Sequence, residues 1–120
     1  MFVRGVRGAT TVLKNTKDEI VKHTAELLER MINENKIDSE NIASIIFTTT
    51  SDVYNEFPAV AAREILSLNS VPLLNMQEID NPSGLKKCIR ILIHWNTERK
   101  QDEIKHVYLN EATALRTDLK

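Results

Sequence analysis

The segment Lys86 to Trp95, KKCIRILIHW, constrains this chain more than any other part of it. Read as a strand, it sends Ile89, Ile91, Ile93 and Trp95 to one face and Cys88, Arg90, Leu92 and His94 to the other. Ile42 to Thr50 has the same character, with Ile42 and Ile46 set against Ile45 and Phe47. A sheet with one wet surface alternates apolar and polar residues more cleanly than this. Both surfaces of such a sheet need cover, and the rest of the chain offers one long helix and one short one, enough for a single face. The second face is therefore expected to pack against another subunit, which makes the protein an obligate oligomer.

The remaining elements follow from local pattern. Phe2 to Ala9 reads as a strand interrupted by Gly5 and Gly8, which mark either a bulge or a place where something approaches the backbone closely. Thr16 and Glu19 form a T-x-x-E capping box. Ile20, Thr24, Leu27, Leu28, Met31 and Ile32 follow at helical spacing, which predicts a helix from about Lys17 to Asn35. Lys36 to Asn41 turns the chain. Pro58 opens a short helix through Ala59, Ala61, Ala62, Glu64, Ile65 and Leu66. Val71 to Met76 and Ile104 to Leu109 read as further strands, and Asn81-Pro82-Ser83-Gly84 as a turn. Ala112 to Arg116 reads as a short helical turn or an extended arm, and Thr117 to Lys120 as a fraying end. The expected class is α+β: a mixed five-stranded sheet with one long and one short helix on one face, in one domain spanning residues 1–120.

Composition removes several function classes. Sixteen Lys and Arg against 17 Asp and Glu give a formal charge of −1, so bulk charge does not favour a polyanion, and no nucleic-acid partner is expected. No apolar run reaches the roughly 18–20 residues of a membrane span, and no secretory signal is visible. The single cysteine, Cys88, excludes an internal disulfide and fits a reducing compartment, so a cytoplasmic protein is expected. His23, His94 and His106 lack metal-ligand spacing, and no nucleophile-elbow, Walker or Rossmann motif is present.

Two charges stand where charges are costly. Arg7 lies between Gly5 and Gly8 in the first strand, and Arg90 lies mid-strand among Cys88, Ile89, Ile91 and Leu92. An unpaired buried charge costs several kcal/mol, so each needs a partner. Two readings stand side by side. One is a structural ion pair with Glu78, Asp80 or Glu111. The other is a preformed socket for a small carboxylate, which guanidinium groups match with paired hydrogen bonds. Tyr108 alternates with His106 in its strand, so its hydroxyl is either a core donor or a ligand contact.

Arg4-Gly5-Val6-Arg7-Gly8-Ala9-Thr10-Thr11 resembles the N-terminal signature of monofunctional chorismate mutases of the trimeric, mixed α/β type, the AroH class. So do Met76-Gln77-Glu78, Gly84-Leu85-Lys86-Lys87-Cys88-Ile89-Arg90, Phe57-Pro58-Ala59 with Ala62-Arg63-Glu64, and His106-Val107-Tyr108-Leu109 with Leu115-Arg116. The similarity covers nearly the whole chain. It implies a homotrimeric pseudo-barrel whose sheets pack around a common axis, with active sites in clefts between subunits. It implies conversion of chorismate to prephenate, in phenylalanine and tyrosine biosynthesis, without cofactor or metal.

The resemblance also implies roles. Arg90 stabilises the charge growing on the ether oxygen and reaches one carboxylate. Arg7 binds a carboxylate, and Glu78 accepts from the ring hydroxyl. Tyr108 holds the carboxylate-bearing side chain. Phe57, Leu74 and Leu115 form apolar walls, Asn75, Met76 and Gln77 complete the substrate contacts, and Arg63 and Arg116 stand at the cleft mouth. Two positions depart from the family pattern: Asn75 replaces a common cysteine and Val60 a frequent lysine. The Asn75 carboxamide is expected to bond Glu78 or the substrate hydroxyl. The alternatives are a non-catalytic dicarboxylate-binding regulatory trimer, an imine-hydrolysing enzyme of similar shape, and a structural protein whose arginines make internal ion pairs.

Overall fold

The computed structural model describes residues 1–116, the side chain of Arg116 excepted. The reading of Thr117 to Lys120 as a fraying end therefore lies outside the described residues. The strands are β1 (Phe2–Thr11), β2 (Ile42–Thr49), β3 (Leu73–Gln77), β4 (Cys88–Thr97) and β5 (Val107–Tyr108). The helices are α1 (Lys17–Asn35) and α2 (Ala59–Glu64). Three 3-10 turns, Ser39–Asn41, Gln101–Glu103 and Asn110–Arg116, complete the chain. The strands form one mixed sheet in the order β3-β2-β4-β1-β5. The β1–β4 and β2–β4 pairs are antiparallel, and β1–β5 and β2–β3 are parallel.

The long helix begins and ends where its own side chains dictate. Thr16 is the N-cap, its hydroxyl oxygen accepting from the Glu19 amide at 3.2 Å, a cap worth about 1 kcal/mol. The capping box is only half formed as expected, because the Glu19 carboxylate reaches past Thr16 to accept from the Leu13 amide at 3.1 Å. That bond holds the Glu19 carboxyl below its ordinary range. At the other end Lys36 takes a left-handed conformation (φ 54°) and its amide returns to Asn33. The buried Asn35 side chain donates to Met31 O and Lys105 O and accepts from the Lys105 amide. The two bonds to Lys105 tie the helix end to the segment that leads into β5.

The face that α1 presents, with Leu27, Leu28 and Met31, packs on Val6, Ile45, Phe47, Ile91 and Ile93 of the sheet, with Ala59 and Ala62 of α2 alongside. Each large apolar side chain buried in this layer contributes about 1.5–3 kcal/mol. Gly8 makes the close approach possible. A Cβ there would lie 2.4 Å from Met31 Sδ and 3.1 Å from Leu27 Cδ1.

Both helices lie on one face of the sheet, as expected. The other face carries Val3, Arg7, Ile46, Thr48, Leu74, Met76, Arg90 and Leu92 by strand alternation and register. Neither α1 nor α2 covers it: the 3-10 turn Asn110–Arg116 packs only on its Ala9 and Cys88 end, and Val3 (60%), Leu74 (55%) and Met76 (45%) stand exposed. No helix among the described residues is long and apolar enough to cross a membrane.

Several strand limits differ from expectation: β1 runs on to Thr11 and β4 to Thr97, and three starts or lengths have a local cause. β4 starts at Cys88, not Lys86, because Lys87 takes a positive φ (49°) while its amide donates to both Asp52 carboxylate oxygens. β5 is only two residues long, since Val107 and Tyr108 alone pair with β1, against Gly8 and Ala9. β3 begins at Leu73, one residue past the proline whose carbonyl accepts from Ile45. The segment after Asn110 is helical, the first of the two alternatives left open.

Candidate active site

Strand register carries Arg7 and Arg90 to the same, uncovered face. Arg7 pairs with Leu92 and Ala9 with Arg90, so the two guanidinium groups project from adjacent strands two rungs apart. They border a hollow of about 180 Å³ with Gly8, Ala9, Tyr108 and Leu115. Arg7 is held in two ways. Its Nε donates to the Tyr108 hydroxyl at 2.9 Å, and its backbone amide donates to His106 Nδ1 at 3.0 Å. The second bond fixes His106 as an acceptor on Nδ1. Burial, and then the nearby Arg7 charge, lower the His106 pKa from its ordinary value.

Glu78 follows the last residue of β3, its amide donating to Thr49 O at 2.8 Å. Its carboxylate lies 3.5 Å from Arg90 Nε, with the side chains 27% and 43% exposed. The structural ion pair foreseen for Arg90 is thus present, but loose, and Arg90 Nε is buried without a hydrogen-bond partner. Among the described residues Asp80 and Glu111 form no ion pair with either arginine, and Arg7 forms none. A larger hollow, about 470 Å³, adjoins the first through Arg90 and is lined by Glu78, Asp80, Asn81, Lys86, Thr50 and Asp52, among others.

The remaining expected residues stand apart. Phe57, Asn75, Met76 and Gln77 border a third hollow of about 220 Å³ together with Tyr54 and Glu56. Asn75 pairs with Phe47 and so points to the helix side, where its Oδ1 accepts from the Ala59 amide at 3.0 Å. The bond expected between Asn75 and Glu78 is not made, because residues three apart in and beyond a strand leave on opposite faces. Asn75 instead fixes the first turn of α2, directly after Phe57. Leu74 is exposed on the uncovered face, and Arg63 is exposed in the last turn of α2; neither lines these three hollows. The side chain of Arg116 lies outside the described residues. Val60, the second departure, is buried in α2.

The chain therefore presents two separate groups of candidate site residues. Arg7, Arg90, Glu78, Tyr108 and Leu115 form a charged group on the uncovered face, and Phe57 and Asn75 form an apolar and amide group beside the sheet edge. Sequence reading missed Thr48, whose hydroxyl donates to Glu78 Oε2, and Thr50 and Asp52, which seat the start of β4. Their contacts join segments up to 38 residues apart, and no local pattern announces them. Cys88 is buried beside Ala9, Tyr108 and Ala112, and burial pushes its thiol up, as an inert thiol requires.

A family profile described as chorismate mutase type I matches residues 3–119. "Chorismate mutase AroH" of Bacillus subtilis (strain 168) is 44% identical over 119 residues, covering 99% of this chain and 94% of the relative. "Chorismate mutase AroH" of Thermus thermophilus is 48% identical over 119 residues, covering 98% of this chain and 97% of the relative. Among solved structures, "Chorismate mutase from Clostridium thermocellum Cth-682" superimposes with a TM-score of 0.89 at 49% identity, covering 92% of this chain and 97% of that one.

Proposed function

The chain belongs to the chorismate mutase type I family, and from that premise we propose that it rearranges chorismate to prephenate in the cleft bordered by Arg7, Arg90 and Glu78. It is an isomerase of aromatic amino acid biosynthesis. The substrate carries two carboxylates and an ether bridge. Its rearrangement is intramolecular and needs no nucleophile or proton relay, so the work falls to positioning and electrostatics.

The observation that carries this assignment is the convergence of Arg7 and Arg90 on one hollow, with Arg7 unneutralised by any acid among the described residues. Arg7 takes a carboxylate. Arg90 reaches the ether oxygen, where negative charge grows as the C–O bond lengthens, and so stabilises the transition state more than the bound substrate. Glu78 accepts from the ring hydroxyl and faces the carbon framework as it becomes electron-poor. Tyr108 orients Arg7 and the carboxylate-bearing side chain, and Leu115 walls the hollow.

The uncovered sheet face, with Val3, Leu74 and Met76 exposed, supports a homotrimer in which sheets pack around a common axis as a pseudo-barrel. In that assembly the Phe57, Arg63 and Asn75 group of one protomer completes the charged group of its neighbour. Arg116 closes the mouth. The unit is a single domain over residues 1–120, and its one cysteine suits the cytoplasm. A non-catalytic dicarboxylate-binding role would use the same arginines, but the relatives above favour the enzyme.

The test is direct. Purified protein mixed with chorismate is followed by the loss of the substrate's ultraviolet absorbance, with a native mass measurement on the same sample. Turnover with a mass of three chains supports the assignment. Saturable binding of chorismate without its consumption would favour the regulatory reading.

A further inference from the structure

Thr48 occupies a point between the two charges of the proposed site. It stands opposite Arg90 in the β2–β4 pairing and beside Met76 in the β2–β3 pairing, on the uncovered face. Its hydroxyl donates to Glu78 Oε2. That same oxygen faces Arg90 Nε at 3.5 Å, and the buried Nε has no hydrogen-bond partner. An unrestrained Arg–Glu pair closes to a fork of hydrogen bonds at about 2.7–2.9 Å. Here the pair stays open at 3.5 Å.

We propose that Thr48 is a positioning residue that holds the Glu78 carboxylate off Arg90, keeping the guanidinium available to substrate. The Thr48 hydroxyl is tethered to the backbone of β2 by a short, β-branched side chain with few rotamers. It occupies one acceptor site on Oε2 and fixes the carboxylate plane. Arg90 then keeps donors for the substrate's carboxylate and ether oxygen, and Glu78 Oε1 remains an acceptor for the ring hydroxyl. Without that tether Glu78 closes onto Arg90, and chorismate enters only by breaking a tighter ion pair than the present one. The inference rests on the roles proposed above for Arg90 and Glu78.

The experiment is steady-state turnover of chorismate by Thr48→Val, Thr48→Ala and Thr48→Ser, with Glu78→Gln alone and Thr48→Val/Glu78→Gln. Rates are referred to the assembled fraction measured by native mass, so that loss of fold does not count as loss of positioning. The Val and Ala variants are expected to lose about tenfold in kcat/KM, with KM raised, because a hydrogen bond to a charged group is lost and the loose ion pair with Arg90 closes. Ser, which keeps the hydroxyl, stays within about twofold of the parent, and adding Thr48→Val to Glu78→Gln changes kcat/KM by less than about twofold. If Val and Ala are unimpaired while Glu78→Gln is impaired, or if Ser is as impaired as Val, or if the Thr48 and Glu78 losses multiply, the role of Thr48 is overturned. Parental turnover by Glu78→Gln would overturn the role of Glu78 itself.

Discussion

Arg7 Nε donates to the Tyr108 hydroxyl at 2.9 Å across 101 positions of sequence. The parallel pairing of Gly8 with Val107 and Ala9 with Tyr108 brings the two together. Tyr108 is 7% exposed, so phenylalanine occupies the same space while removing the acceptor. Tyr108→Phe is expected to raise KM for chorismate about five- to tenfold with kcat within about threefold of the parent, the pattern of weakened ground-state binding. Full kinetic curves check it, and a fall in kcat at constant KM would instead put Tyr108 on the transition state.

In the proposed reaction Arg90 carries the heaviest burden. Replacing it with Lys or Ala is expected to lower kcat by at least about 10²-fold, the scale for losing one donor aimed at a developing charge. Lysine keeps the charge but loses the planar fork that serves a carboxylate and an ether oxygen at once. Single-turnover rates at saturating chorismate measure the chemical step directly, and a Lys variant with parental kcat would remove Arg90 from the reaction.

What the chain alone discloses divides by range. The limits of α1 are legible because the Thr16 cap and the apolar spacing from Ile20 to Met31 are local. Arg7 and Arg90 are legible because a charge inside an apolar strand demands a reason. The start of β4 is not, since it depends on Asp52 holding the Lys87 amide from 35 residues away. Thr48 is a threonine in a β-branched strand until register sets it beside Glu78 and Arg90. The direction of Asn75 is likewise hidden until the β2–β3 pairing fixes which of its faces meets α2.

His106 gives stability a pH dependence of known sign. Its pKa is lowered in the folded chain, because burial and then the Arg7 charge oppose protonation and Nδ1 is already accepting from the Arg7 amide. The unfolded chain therefore binds more protons in the window from about pH 6.5 downward, and stability rises with pH there. The contribution is complete above the unfolded pKa and is lost as pH falls through the folded one. Urea midpoints measured between pH 5 and pH 7.5 are expected to climb in the parent and to climb less in His106→Asn, whose carboxamide oxygen accepts the same bond without titrating. Parallel slopes in the two proteins would deny His106 this role.

Gly8 is required by the distance between sheet and helix, not by its backbone angles, since no glycine among the described residues has positive φ. A methyl group there meets Met31 Sδ at 2.4 Å and Leu27 Cδ1 at 3.1 Å, and both side chains are fully buried. Gly8→Ala is therefore expected to destabilise the protein by about 1–3 kcal/mol through overpacking. Met31→Ala alone leaves a cavity and costs about 2–5 kcal/mol. Together the two changes partly fill one another's defect, so the double variant is expected to lose less than the sum of the single losses, read from urea denaturation at fixed protein concentration. Strict additivity would mean that the helix shifts as a body to admit the methyl group, and that Met31 is not what holds α1 to β1.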